Sequence, residues 1–140
     1  MSDVLHRIRV FVFQFDRSIP NYLLLRPAQG VESCWGPIQG SIGFDEKLET
    51  AIRREVRSEC GIHSPIDVID LEMQSHWLVG DEQVVEWNFG VRALERTGDL
   101  ALDDRWADFR WAGFSDAYPS LELEFDRAAI MRLHTLLSAA

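Results

Sequence analysis

The chain has 140 residues, 46% hydrophobic and 26% charged, which suits one soluble domain over 1–140 with a core of its own. A formal net charge of −9 at pH 7 weighs against a polynucleotide partner, because that binding draws on Lys and Arg displacing counterions from phosphates. No apolar run approaches the ~18 residues of a membrane span and no leader pattern opens the chain, so a cytoplasmic protein with no membrane partner is expected.

In chain order, IRVFVFQF (8 to 15) and NYLLLRP (21 to 27) read as strands, with DRSIPN between them a turn by composition. PAQGVESCWGPIQG (27 to 40) has Pro and Gly too irregularly placed for a helix and reads as a loop or as a short strand between turns. Residues 45 to 60 form a helix, which Asp45 is placed to cap and Gly61 to stop. Further strands follow at 67 to 80, at VVEWNFGVRAL (84 to 94) and, shorter, at FRWAGF (109 to 114). In the tail, Ala128, Ile130, Met131, Leu133, Leu136 and Leu137 recur at helical spacing, giving a second helix packed on the sheet. The fold class is α/β with a mixed sheet at its centre. Cys34 and Cys60 are the only two cysteines; they match no zinc spacing and read as reduced thiols.

The first helix carries the chemistry. With about 100° per residue, Glu55 and Glu59 each fall about 20° from Leu48, near the centre of the stripe formed with Ala51, Ile52 and Val56. Charges on a helix are usually its solvated face. A carboxylate turned inward instead costs several kcal/mol unless it is paired, neutralised or bound to a cation. Arg54 or Arg57 is one solution. A hard divalent ion shared by acids one turn apart is the other.

The stretch from Gly40 to Ile62 resembles the Nudix box, G-x5-E-x7-R-E-U-x-E-E-x-G-U with U aliphatic. Gly40, Glu46, Arg54, Glu55, Val56, Glu59, Gly61 and Ile62 fall on its fixed positions, and Ser58 is the miss. LLLRP and CWGPIQG before the box are similar to the strand and loop that lead into it in this family. EWNF, DFRWAGF and the closing helix resemble the subgroup of dihydroneopterin triphosphate pyrophosphatase and related nucleoside triphosphate or dinucleoside polyphosphate hydrolases. The resemblance implies a Nudix α/β/α sandwich, a mixed β-sheet between helices. It also implies Mg²⁺-dependent hydrolysis, with Mn²⁺ as an alternative ion, of a nucleoside diphosphate linked to another group; a nucleoside or pterin triphosphate is the first choice. Carried over by position, Glu55 and Glu59 are metal ligands and the Gly40 carbonyl a further one. Arg54 orients a glutamate, and Glu46 and Gly61 serve the structure of the motif.

Two positions depart from the pattern. Ser58 replaces the first acid of the E-E pair, and Arg105 stands where the subgroup often has an acid before the aromatic-basic-Trp sequence. Asp103 and Asp104, just before it, are candidates for an additional acid or are two solvated loop aspartates. Arg26 is placed to contact phosphate through its planar fork, and Trp35 to stack on a base or pterin; a bland strand-end Arg and a core Trp are the alternatives. An active hydrolase is therefore weighed against a Nudix-like domain that binds a phosphorylated small molecule in a regulatory role, and against an interaction module with a vestigial site. Monomer and homodimer both remain open.

Overall fold

The computed structural model describes residues 4–28, 34–63, 65–93 and 100–139. The elements run β1 (Val4–Asp16), β2 (Ile19–Pro27), β3 (Ile38–Ser41), α1 (Leu48–Cys60), β4 (Pro65–Val79), β5 (Glu82–Ala93), β6 (Trp106–Gly113), α2 (Phe114–Ser120) and α3 (Glu124–Ser138). The strands form one six-stranded sheet in the order β4-β5-β1-β2-β6, with β3 paired to β1 off that path. The β1–β5 pair is parallel and the others antiparallel, so the sheet is mixed as expected.

β1 is the axis of the sheet. Its residues alternate between two cores: Ile8, Val10 and Val12 face α1 through Ile52 and Val56, whereas Phe11 and Phe13 face α3 through Ile130 and Leu133. A strand buried on both faces reads as a continuous apolar run, which is how 8 to 15 looks in the sequence. The turn into β2 places Arg17 at φ 53° and Ser18 at φ 69°. Two successive left-handed residues give the hairpin twist that matches its strands. One edge of β1 pairs with β5; the other is divided, Phe13 to Asp16 pairing with β2 and Arg7 to Val10 with β3. β2 and β3 therefore part company along a single edge, and a cleft opens where they do.

Several expectations are corrected. The ambiguous 27 to 40 segment runs into β3, whose four residues are defined by pairing with β1 rather than by their own pattern. α1 begins at Leu48, not Asp45; Asp45 has φ 60°, a left-handed turn conformation, and the N-cap is Lys47 with no side-chain cap. Leu48 is 36% exposed, and the buried stripe is Ala51, Ile52, Glu55, Val56, Glu59 and Cys60. Ala128, Met131 and Leu136 turn outward, and α3 buries Asp126, Ala129, Ile130 and Leu133. α2 is an element additional to the expected ones, a seven-residue helix with Pro119 inside it. Leu94, expected to end the fifth strand, lies outside the described residues.

Candidate active site

Gly61 ends α1 in the left-handed conformation, φ 74°, with its N–H donating to the Arg57 carbonyl at 2.8 Å. That stop leaves Glu55 and Glu59 in the last turns of the helix, facing β3 and the β6 edge. Each is 7% exposed, whereas Ser58 between them is exposed and its hydroxyl donates only to the Glu55 carbonyl at 3.4 Å. The inward placement read from the helical period is thus observed.

Burial of two carboxylates demands partners, and each has an arginine. Arg54 Nη1 donates to Glu55 Oε1 at 2.6 Å. The rest of the same guanidinium faces Glu46, Nε to Oε2 at 2.8 Å and Nη2 to Oε1 at 3.0 Å, and Nη2 also donates to the Ser41 carbonyl at 2.8 Å. Glu46 Oε1 accepts the Gly43 N–H at 2.8 Å. Arg54 therefore fixes the orientation of Glu55 and, with Glu46, ties the loop after β3 to the helix. Those hydrogen bonds hold the Glu46 carboxyl down at about 2 and raise Arg54 further above its ordinary value.

Glu59 is held from the other side. Arg105 Nε donates to Oε2 at 2.8 Å and Nη2 lies 2.6 Å from Oε1, while Trp106 Nε1 donates to Oε2 at 2.8 Å. Arg105 Nη2 also donates to the Gln39 carbonyl. Burial pushes the Glu59 carboxyl above its usual range, and the Trp106 hydrogen bond and the Arg105 charge pull against that rise. The sequence marks Arg105 only as a missing acid. Neither its contact with Glu59 nor that of Trp106 has a local signal, because the partners are separated by 46 and 47 residues.

Gly40 stands directly against Glu55: a Cβ there would meet Glu55 Cδ at 2.3 Å and Oε2 at 2.6 Å. Only glycine lets the backbone approach the carboxylate this closely. The donors gathered here, two carboxylates and a close backbone, are hard oxygens of the kind that hold Mg²⁺ or Mn²⁺. Among the described residues no three His, Cys, Asp or Glu side chains come together as a ligand group. The residues thus fit one hard ion completed by water or substrate oxygens; a carboxylate-rich cluster they do not fit.

Asp103 Oδ1 accepts the Arg105 N–H at 3.1 Å, and its backbone joins both Glu59 and Trp106. It shapes the turn that presents Arg105. Asp104 lines a cleft of about 470 Å³ with Pro27, Ala28, Gln39, Arg105 and Trp106. This is the opening at the fork of β2 and β3, and it reaches the Glu59 partners. Glu55 and Glu59 line neither this cleft nor a larger, mostly apolar hollow of about 580 Å³ at the start of α1; the smaller one is the candidate substrate cleft because Arg105 and Trp106, which bond Glu59, line it. Arg26 and Trp35 are brought together: the guanidinium carbon lies 5.6 Å from the ring centre, and Arg110 approaches the same ring at 5.4 Å. The Leu25–Gly36 bridge seats Trp35 beside β2.

A family model described as NUDIX domain matches residues 5–133. The chain belongs to the Nudix family. Its structure is similar to the Escherichia coli dihydroneopterin triphosphate pyrophosphohydrolase, with TM-score 0.76 and 17% identity over 96% of each chain. It is also similar to a binary complex of the Caenorhabditis elegans Ap4A hydrolase, TM-score 0.74 and 15% identity over 97% of this chain and 99% of that one. A third likeness is to the NUDIX domain of Shewanella oneidensis NrtR complexed with ADP ribose, TM-score 0.73 and 15% identity over 100% of this chain and 91% of that one. At such identities the likeness is one of fold. No curated protein matches the chain. The Nudix α/β/α arrangement expected from the sequence is the one observed. Among the described residues no helix is long and apolar enough to cross a membrane.

Proposed function

We propose that this Nudix protein is a pyrophosphohydrolase that takes Mg²⁺, or Mn²⁺, and cleaves a nucleoside diphosphate linked to another group, with a nucleoside or pterin triphosphate as substrate. The observation that carries this reading is the pair Glu55 and Glu59, both buried on one helix face with Gly40 against the first. Glu55 and Glu59, with the Gly40 carbonyl, would hold the ion. When bound, such an ion neutralises pyrophosphate oxygens and lowers the pKa of a coordinated water.

The chain's own residues do the rest. Arg54 holds Glu55 in one orientation, so the carboxylate needs no reorganisation before substrate arrives. Arg26 and Trp35, the guanidinium for phosphate and the ring for a base or pterin, lie apart from the glutamate pair: Trp35 packs against the core on the α3 face of the sheet, and Arg26 Nη2 is 3.6 Å from Asp108 Oδ2. Asp104 is the acid in the cleft lining and the candidate to take a proton from water. In the reaction a water oxygen forms a new bond to phosphorus as a bridging P–O bond breaks; the leaving phosphate carries the electron pair away.

The second reading, a binding domain with little turnover, is favoured by one observation: Arg105 engages both oxygens of Glu59. The deciding experiment is a phosphate and pyrophosphate release screen with Mg²⁺ and Mn²⁺. It covers nucleoside triphosphates, dihydroneopterin triphosphate, dinucleoside polyphosphates, nucleotide sugars and ADP-ribose. Turnover that requires the ion and is lost in Glu55→Gln is the expected result. Tight binding of one of these ligands without turnover would select the second reading.

A further inference from the structure

Arg105 is not a loosely placed surface cation. Its N–H is fixed by Asp103 Oδ1 at 3.1 Å, its carbonyl accepts the Ala28 N–H at 2.8 Å, and its guanidinium lies 4.9 Å from the centre of the Trp106 ring. From that anchored backbone the side chain spans Glu59 and the Gln39 carbonyl, next to Gly40. A carboxylate offers about four lone-pair sites. On Glu59, Oε2 accepts from both Arg105 and Trp106, and Oε1 lies 2.6 Å from Arg105 Nη2, so the guanidinium faces both oxygens. Glu55 has one oxygen bonded to Arg54. The charge pattern agrees: Ser58 removes a negative charge from the helix, and Arg105 adds a positive charge that cannot be titrated away.

We propose that Arg105 is a resident cation that occupies, between Glu59 and the Gln39 carbonyl, the place a second divalent ion would take, so that the protein binds one ion instead of two. The inference rests on the reading of Glu55 and Glu59 as metal ligands. Arg105 is a positioning residue here: it neutralises Glu59 from the side of the Gln39 carbonyl, and Glu55 with Glu59 would hold the one remaining ion. A fixed guanidinium needs no free metal to fill the position, and its fork matches a carboxylate and a carbonyl at once.

The test is Mn²⁺ binding to the full chain, followed by electron paramagnetic resonance of free ion and by calorimetry, without substrate. The wild type is expected to bind about one ion per chain and Glu55→Gln to lose it. Arg105→Ala and Arg105→Gln are expected to bind about two, and Arg105→Lys, which keeps the charge, to stay near one. Arg105 is exposed, so these variants are expected to fold, which circular dichroism verifies, and the Ala and Gln forms duplicate the test. One ion in the wild type with unchanged number and affinity in both variants overturns the resident-cation role alone. No Mn²⁺ uptake by any form, Glu55→Gln included, overturns the metal reading beneath it.

Discussion

Gly40 on β3 and Glu55 on α1 touch across the loop that joins their elements, so closely that a methyl group on Gly40 would fall 2.3 Å from Glu55 Cδ and 2.6 Å from its Cγ. The Glu55 side chain cannot yield freely, because its Oε1 is 2.6 Å from Arg54 Nη1. Gly40→Ala must therefore break that ion pair or push β3 off α1. The expected cost to folding is about 1–3 kcal/mol, as for other overpacked sites. The loss of Mn²⁺ affinity should be larger, about tenfold or more, since ligand placement within a fraction of an ångström is at stake. Chemical denaturation and Mn²⁺ titration of the same preparation separate the two. Unchanged Mn²⁺ affinity would show that the placement of Glu55 does not govern the ion.

Glu46 gives the pH dependence. Its carboxyl is held at about 2, below its ordinary 4.5, first by the Arg54 hydrogen bonds and then by the Gly43 N–H. A depressed carboxylate pKa stabilises the fold above the unfolded value and loses that contribution as pH falls through the folded one. The Tm difference between wild type and Glu46→Gln should hold constant above about pH 5.5 and shrink steadily toward pH 2. A difference independent of pH across that window would mean that the loop is held by the hydrogen bonds alone.

What the sequence made legible follows the range of the forces involved. Strands buried on two faces announce themselves as apolar runs, and the 3.6-residue period alone turns Glu55 and Glu59 inward. β3 was ambiguous because four residues carry no period of their own and are a strand only by virtue of β1. The α3 stripe was shifted because Asp126, the polar residue it buries, is paired with Arg9 from the far end of the chain. Arg105 looked like a lost acid, since its meaning lies in a partner 46 residues away. Asp45 was a plausible cap by type, but φ 60° takes it out of the conformation a cap requires.

Ser58 separates the readings of the site. It is exposed, and its hydroxyl donates to the carbonyl of Glu55 alone. Ser58→Glu adds a carboxylate at the border of the buried stripe without displacing a packed group. Turnover in Ser58→Glu is expected to stay within about threefold of wild type or to rise, because under the proposed reading Glu55 and Glu59 already supply the ligands of one ion. Glu59→Gln, which removes the charge that faces both Arg105 and the ion, is expected to lower turnover about 100-fold or more. Steady-state kinetics over a Mg²⁺ series measure both. Full activity in Glu59→Gln would remove the basis for the metal pair.

The core under α3 holds a third acid-base group, apart from Glu55 and Glu59. Arg9, 5% exposed, donates from Nε to Asp126 Oδ1 at 3.0 Å and from Nη2 to Oδ2 at 2.8 Å, while Glu86 Oε1 is 3.5 Å from Nη1. Burial pushes both carboxyls up, and Arg9 pulls both down. The geometry makes them unequal: Asp126 has the forked pair, and Glu86 Oε1 has no hydrogen bond. Asp126→Ala, which strands a buried guanidinium, should cost about 3–5 kcal/mol in urea unfolding. Glu86→Gln should cost within about 1 kcal/mol, and its sign depends on pH. Because the folded Glu86 pKa lies above the unfolded one, the wild type loses stability as pH rises through that interval. Glu86→Gln does not titrate, so it should gain on the wild type from about pH 4 upward and level off above the folded pKa. Equal costs for the two substitutions at neutral pH would mean that Arg9 is shared evenly, and that the 3.5 Å contact is a working ion pair.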